Sequence, residues 1–260
     1  MMRPRFAFLA ASFVLVLVAC VDHATEHRVR ANAFFRGADY ASALEECDEG
    51  LKAKPDDVGT LILRGKSLFE LNRVDDAKRD FDRAVELGEG RRKSFMGDAY
   101  LGLAIIASRQ KEWEEARTQF EKLLSLDPQD VGTHTNLARV YLELGDLPKA
   151  EEHADFAVRA RPRDEAALFV LGQVRLSSGK LDDAKAAYDK IVENNPKAPS
   201  GPYGLATVAA RQGDKATALA KLREAVALKV PNPADIPLDP AFASIKLDPE
   251  FVEIVAGAAK

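Results

Sequence analysis

Two neighbouring stretches of equal length decide the fold of this chain. Residues 131–164 read VGTHTNLARVYLELGDLPKAEEHADFAVRARPRD, and residues 165–198 read EAALFVLGQVRLSSGKLDDAKAAYDKIVENNPKA. The first stretch has small residues at Ala138 and Ala150 and a proline at Pro162, and the second repeats this spacing. Apolar residues recur every three to four positions on both sides of a Gly-containing turn, which is typical of two amphipathic helices. Each stretch therefore predicts a pair of helices, A and B, that cross closely at the two small residues.

The same spacing recurs along most of the chain. An alanine marks helix B of each predicted pair, with successive separations of 34, 39, 34, 34 and 34 residues: Ala43, Ala77, Ala116, Ala150, Ala184 and Ala218. Twelve residues before each alanine lies a small residue on helix A: Ala31, Gly65, Ala104, Ala138, Gly172 and Ala206. The step of 39 residues inserts five residues before the third pair. The extra residues lie within the stretch 88–96, whose basic residues Arg91, Arg92 and Lys93 predict a solvated basic turn or a contact with anionic lipid or an acidic partner.

The period of 34 residues, the paired small residues and the terminal prolines resemble the tetratricopeptide repeat family. This resemblance implies an all-α fold, a right-handed α-solenoid of six helix pairs. We place the repeats at residues 24–57, 58–91, 97–130, 131–164, 165–198 and 199–232. The tail, residues 233–260, contains the N-cap signals Asp239-Pro240 and Asp248-Pro249 together with apolar residues. We expect this tail to be a C-terminal capping segment, because the last pair of a solenoid otherwise exposes its apolar face.

The N-terminus predicts a cleaved leader with a lipid anchor. Arg3 and Arg5 precede an uncharged apolar run from Phe6 to Val18, which has the length of a signal-peptide core and is short for a membrane span. The sequence Leu-Val-Ala-Cys that ends at Cys20 resembles the lipobox of bacterial lipoproteins. We therefore expect a signal peptide at 1–19, a lipidated Cys20 and a short tether at 20–23. An ordinary signal peptide or a short uncleaved anchor is the alternative.

Composition and motifs argue against several classes of function. The formal net charge of −4 gives no electrostatic reason to expect binding to nucleic acid. Four histidines and two cysteines show no spacing of metal ligands, and no phosphate loop or nucleophile elbow is present. Pairs of carboxylates such as Asp182-Asp183 recur near the start of helix B, where the helix dipole favours negative charge. We predict a protein that is not an enzyme, with no catalytic residue, metal, cofactor or small-molecule substrate.

The resemblance also implies where a partner would bind. In the family, residues at fixed positions of the A helices line a concave groove that holds a peptide or helix of another protein. Transferred to this chain, these positions give the expected partner-binding residues: Ile62, Lys66, Leu101, Ile105, Arg139, Phe169, Gln173 and Tyr203. Some relatives clamp a terminal carboxylate, but Leu63, Asp98 and Gly102 break that pattern here.

The function that these features predict is a lipid-anchored scaffold in the bacterial cell envelope. Val21 rather than Asp follows Cys20, which favours attachment to the outer membrane, facing the periplasm. The leader and six repeats are similar in architecture to the pilotin-like proteins of type IV pili, which help an outer-membrane secretin assemble. The alternatives are an adaptor for peptidoglycan hydrolases, a factor for outer-membrane protein insertion and an accessory subunit of an enzyme.

Overall fold

The computed structural model describes residues 23–88 and 96–258, and the secondary structure of these residues consists only of helices. The chain divides into two compact units, Met1–Pro128 and Gln129–Lys260. Within the described residues, six helix pairs and a C-terminal capping segment form the predicted all-α fold. The predicted leader with Cys20 and the basic residues Arg91–Lys93 lie outside the described residues.

The first unit contains three of the helix pairs. Its helices are α1 (23–36), α2 (Tyr40–Ala53), α3 (Val58–Glu70), α4 (Val74–Gly88), α5 (Gly97–Arg109) and α6 (Trp113–Leu126). Helices α3 and α4 form one antiparallel pair, and α5 and α6 form the next. Phe81, Leu103 and Ile106 are buried between them and form the centre of this unit's core.

The second unit contains the other three pairs. Its helices are α7 (Val131–Glu143), α8 (Leu147–Ala160), α9 (Glu165–Ser177), α10 (Leu181–Asn194), α11 (Ser200–Gln212) and α12 (Lys215–Ala227). Helix α9 contacts both α7 and α11, so the three A helices of this unit lie side by side. The tail follows with two 3-10 helices, Pro233–Leu238 and Pro240–Phe242, and with α13 (Pro249–Ala258).

Aspartate side chains begin several of these helices. Asp57, Asp130 and Asp164 each precede an A helix and accept a hydrogen bond from the backbone N–H three residues later, at 2.9, 2.7 and 3.0 Å. Such caps satisfy an N–H group that has no partner within the helix. The following helices start at Val58, Val131 and Glu165, which are the first residues of three predicted repeats.

The small residues lie where the helices cross. All six marker alanines on the B helices have an exposed fraction of 0%. On the A helices, Gly65 and Gly172 are also buried. A Cβ atom built on Gly172 would lie 2.4 Å from Tyr188 Cε1 in the partner helix α10. The spacing read from the sequence therefore marks positions that have no room for a larger side chain.

The tail packs against the last helix pair. Phe242 and Phe251 are 0% and 1% exposed, and they share a cluster with Leu222 of α12. Asp239 accepts a hydrogen bond from Ala241 N at 2.8 Å, and Asp248 accepts one from Glu250 N at 2.9 Å. These are the two Asp-Pro signals of the sequence. The first begins the 3-10 helix Pro240–Phe242, which contacts α11, and the second begins α13, which contacts α12.

A helix that crosses a membrane needs about 20 consecutive, mostly apolar residues. In residues 23–88 and 96–258, no helix is both long enough and apolar enough to meet this requirement.

Candidate functional site

The residues expected to bind a partner lie on odd-numbered helices of both units. In the first unit, Ile62 is 6% exposed and packs in the core, so it offers little surface to a partner. Lys66 Nζ lies 3.0 Å from Asp98 Oδ2 and 5.3 Å from the centre of the Phe35 ring. Leu101 and Ile105 on α5 are half-buried. Their side chains are therefore the main apolar surface that this set provides in the first unit.

In the second unit, the structure brings all four expected residues into one pocket. Arg139 of α7, Phe169 and Gln173 of α9 and Tyr203 of α11 line a cavity of about 530 Å³. We call this cavity the second-unit pocket. Its other lining residues are Glu165, Ala166, Ser200, Val230, Pro231, Asn232, Asp235, Ile236 and Asp239. The volume lies in the range of cavities that hold small ligands or a few side chains of a bound segment.

Aromatic side chains form the apolar part of the second-unit pocket. The Phe169 ring centre lies 5.7 Å from that of Tyr188 and 6.5 Å from that of Tyr203. Phe169 and Tyr203 are both half-buried, so each has packing on one side and free surface on the other. Rigid aromatic surface of this kind is well suited to pack against an apolar side chain of another protein.

The C-terminal segment, residues 230–239, closes one side of the second-unit pocket. Tyr203 Oη donates a hydrogen bond to Asp239 Oδ2 at 2.7 Å, which joins helix α11 to this segment. Ile236 is 2% exposed and packs in the cluster that contains Phe242. Burial raises the pKa of Tyr203 well above its usual range, and the negative charge of Asp239 adds to this effect. Tyr203 is therefore a neutral donor at physiological pH.

The first unit has another concavity, but most of its charged residues are already paired. It is lined by Glu45, Glu46, Asp48, Glu49, Leu51, Lys52 and Arg64 and has a volume of about 670 Å³. Arg64 donates to Asp48 at 2.9 Å and to both carboxylate oxygens of Asp80 at 2.7 Å. Glu46 lies 2.6 Å from His27, and Lys52 donates to Glu49 at 2.6 Å. The contacts of Arg64 and Glu46 join neighbouring helices, and the Lys52–Glu49 contact lies within α2, so these charges have a structural role.

Cys47 and His134, whose residue types often act in catalysis, are packed inside the helix pairs here. Cys47 is 0% exposed, and burial raises the pKa of its thiol to about 12, so it carries no reactive thiolate at neutral pH. His134 is buried, stacks on Phe156 with ring centres 3.8 Å apart, and has its Nδ1 2.9 Å from His153 Nδ1. In the part of the chain that the structure describes, no group of three or more His, Cys, Asp or Glu residues could hold a metal ion.

The position of the paired carboxylates also has a structural explanation. Asp75-Asp76, Glu114-Glu115 and Asp182-Asp183 lie in the first turns of α4, α6 and α10. Negative charge at this end of a helix interacts favourably with the helix dipole. Their recurrence therefore has an explanation that does not involve acid–base catalysis.

The repeat pattern does not predict the residues that the tail contributes to the second-unit pocket. From the sequence, we expect residues 233–260 only to cover the last helix pair. The structure shows in addition that Asp235, Ile236 and Asp239 line the pocket together with residues of the A helices. Positions within a repeat predict groove residues only on A helices, so a contribution from outside the repeats leaves no signal in that pattern.

Comparison with known proteins supports the same fold. The chain is 27% identical over 191 residues to the human protein O-mannosyl-transferase TMTC3, covering 70% of this chain but only 20% of that protein. The structure is similar to that of PilW, a type IV pilus biogenesis factor, with 18% identity and a TM-score of 0.65 over 85% of this chain and 97% of PilW. It is also similar to YrrB, a TPR protein with an unusual peptide-binding site, with 22% identity and a TM-score of 0.57 over 72% and 93% of the two chains.

At these identities, the two solved structures establish a shared fold. The family model of the tetratricopeptide repeat matches residues 62–131, 135–199 and 170–233, which together make up more than half of the 260 residues. The helix pairs, the buried small residues at their crossings and this match agree with one another. The chain therefore belongs to the tetratricopeptide repeat family.

Proposed function

We propose that this protein is a non-enzymatic scaffold, lipid-anchored in the bacterial cell envelope, that binds a segment of a partner protein. The second-unit pocket is the observation that carries this proposal. Phe169 and Tyr203 present aromatic surface there, and Arg139 and Gln173 add polar groups on neighbouring helices. An apolar surface with a few directional polar groups is the composition that peptide-binding grooves use.

Arg139 strengthens this proposal. Its side chain is exposed, and no carboxylate of residues 23–88 and 96–258 lies within ion-pairing distance of its guanidinium. By contrast, Arg64 and Arg175 bind carboxylates of neighbouring helices. An arginine that has no structural ion pair and that lines a pocket is available to bind the backbone or a side chain of a partner.

The cellular location in our proposal rests on the leader. The Leu-Val-Ala-Cys sequence supports a lipid anchor at Cys20, and Val21 supports the periplasmic face of the outer membrane. As the specific process we propose assembly of an outer-membrane complex such as a type IV pilus secretin. The similarity to PilW supports this choice because it extends over 85% of this chain and 97% of that protein.

Capture of the partner from native envelopes tests the binding site. The full-length chain with an affinity tag would be expressed in its own host, cross-linked and purified, and the captured proteins would be identified by mass spectrometry. Phe169→Asp and Arg139→Glu should reduce capture of the main partner. We expect the Phe169 change to cost about 2 kcal/mol or more, which is roughly 30-fold in affinity.

A matched variant controls for charge and for folding. Glu193→Lys changes an exposed residue near the end of α10, outside the second-unit pocket, and should capture the partner as the wild type does. Arg139 is exposed, so Arg139→Glu should keep the helicity and melting temperature of the wild type. If both pocket variants are folded and still capture the same partner in the same amount, the proposed binding site is wrong.

A further inference from the structure

The second-unit pocket has more negative than positive charges. Its lining residues include three carboxylates, Glu165, Asp235 and Asp239, and one guanidinium, that of Arg139. Their formal charges sum to minus two. Two of the three carboxylates belong to the C-terminal segment, so the side of the pocket that this segment forms is acidic.

The hydrogen bonds around these carboxylates leave their charge in place. Asp239 accepts hydrogen bonds from Tyr203 Oη at 2.7 Å and from Ala241 N at 2.8 Å. Glu165 accepts one from Ser200 Oγ at 2.6 Å. All three donors are neutral groups, so they orient the carboxylates without neutralising them.

Asp235 is the most available of the three acids. It lies in the first turn of the 3-10 helix Pro233–Leu238 and is exposed. No Lys, Arg or His of residues 23–88 and 96–258 lies within ion-pairing distance of its carboxylate. The pocket therefore combines half-buried aromatic surface with an acidic side, and an incoming cation would meet no competing positive charge there.

We propose that the second-unit pocket selects a segment of a partner protein in which an apolar side chain lies next to a lysine or arginine. This inference rests on the proposed function and specifies the chemistry of the partner. The apolar side chain would pack on Phe169 and Tyr203, and the cation would lie against Asp235 and Asp239. Arg139, on the opposite side of α9 from α11, would disfavour a second cation there and so set the direction of the bound segment.

A selection from random peptides tests this preference, because it does not require the partner to be identified first. A phage-displayed library of random linear peptides would be selected on the immobilised full-length chain, with the bare support as the counter-selection. We expect the recovered peptides to be enriched in Lys or Arg next to Phe, Leu, Ile or Trp. The most enriched peptide would then be synthesised, labelled and titrated by fluorescence anisotropy.

Three variants of the chain make the titration specific. Asp235→Lys should weaken binding of the selected peptide about tenfold, and Asp235→Asn should weaken it about threefold. Glu193→Lys should leave the affinity within about twofold of the wild-type value, because this residue lies outside the pocket. Binding should also weaken as the salt concentration rises, because added salt screens the attraction between the peptide and the carboxylates.

The outcomes separate this inference from the proposed function. The inference alone would be overturned if the recovered peptides require Phe169 but show no excess of Lys or Arg. It would also be overturned if neither Asp235 variant changes their affinity. Recovered peptides that bind equally well to Phe169→Asp and Arg139→Glu would overturn the binding site as well. Failure to recover any peptide on the wild-type chain would count against both.

Discussion

At the scale of single residues, glycines determine how tightly the helices pack around Tyr188. This side chain is 1% exposed and lies against Gly172 of α9 and Gly204 of α11. A Cβ atom on Gly204 would lie 2.3 Å from Tyr188 Cδ1, which is far inside van der Waals contact. We therefore expect Gly204→Ala to reduce the free energy of unfolding by about 1–3 kcal/mol, measured by urea denaturation followed by circular dichroism.

Gly132 provides the matched control for that prediction. It is exposed on α7, and an added Cβ would meet only the Asp130 carboxylate, at 3.5 Å. Gly132→Ala should therefore leave the stability unchanged or raise it by up to about 1 kcal/mol, because Ala is the better helix former. In a Tyr188→Leu background, the shorter side chain leaves room for the added methyl group, so Gly204→Ala should reduce the free energy of unfolding by less. Equal stability of Gly204→Ala and the wild type would show that the ring moves aside without cost.

The turns between helices A and B give a second prediction at this scale. One residue of each turn has a positive φ, and these residues follow the same spacing as the marker alanines: Ala38, Asn72, Lys111, Gly145, Gly179 and Gly213. Lys111 has a φ of 60°, a left-handed conformation that disfavours a side chain. Lys111→Gly should raise the free energy of unfolding by about 0.5–1 kcal/mol, after the entropy cost of glycine is subtracted. Gly145→Ala should lower it by a similar amount, and urea denaturation followed by circular dichroism measures both changes.

At the scale of elements, the tail is an integral part of the second unit. Phe242 is fully buried and has its ring centre 5.8 Å from that of Tyr203 and 5.5 Å from that of Phe251. Removal of this ring should leave a cavity between the tail and the last helix pair. We expect Phe242→Ala to cost about 3–5 kcal/mol of stability, measured by chemical denaturation.

An apolar residue on the outside of the tail is the control for Phe242. Leu247 is 87% exposed, so Leu247→Ala should change the stability by less than about 0.5 kcal/mol. Truncation of the chain after Asn232 should expose the apolar cluster and increase aggregation. A truncated chain with unchanged solubility and melting temperature would contradict the capping role of the tail.

The repeat pattern predicted the helices better than it predicted the candidate site. The small residues could be predicted because a close helix crossing restricts residue size at one fixed position in each repeat. Exposure at a groove position depends instead on the neighbouring side chains: Ile62 is buried in the core, whereas Phe169 lines a pocket. The acidic side of that pocket could not be predicted, because Asp235 and Asp239 come from the tail, where no repeat fixes a register.

At the scale of the whole molecule, our proposed function requires a helical binding domain and an attachment to the envelope. The helices of residues 23–88 and 96–258 include none that could cross a membrane. Residue 23, which lies only three residues after Cys20, belongs to helix α1, so a lipid on that cysteine would hold the first unit close to the membrane surface. More than one acyl chain on Cys20 would make this attachment lasting.

The anchor gives the last prediction, which concerns where the whole protein resides. Cys20→Ser removes the thiol that a diacylglycerol group would modify, so this variant should lose incorporation of a fatty-acid probe and move from the membrane fraction to the soluble fraction. Cys47→Ser is the matched control, because Cys47 is 0% exposed within α2 and is not available for lipid attachment. That control should keep both the label and the membrane fraction of the wild type. Continued labelling and membrane association of Cys20→Ser would contradict the lipid anchor at Cys20, and the attachment to the membrane would then have another cause.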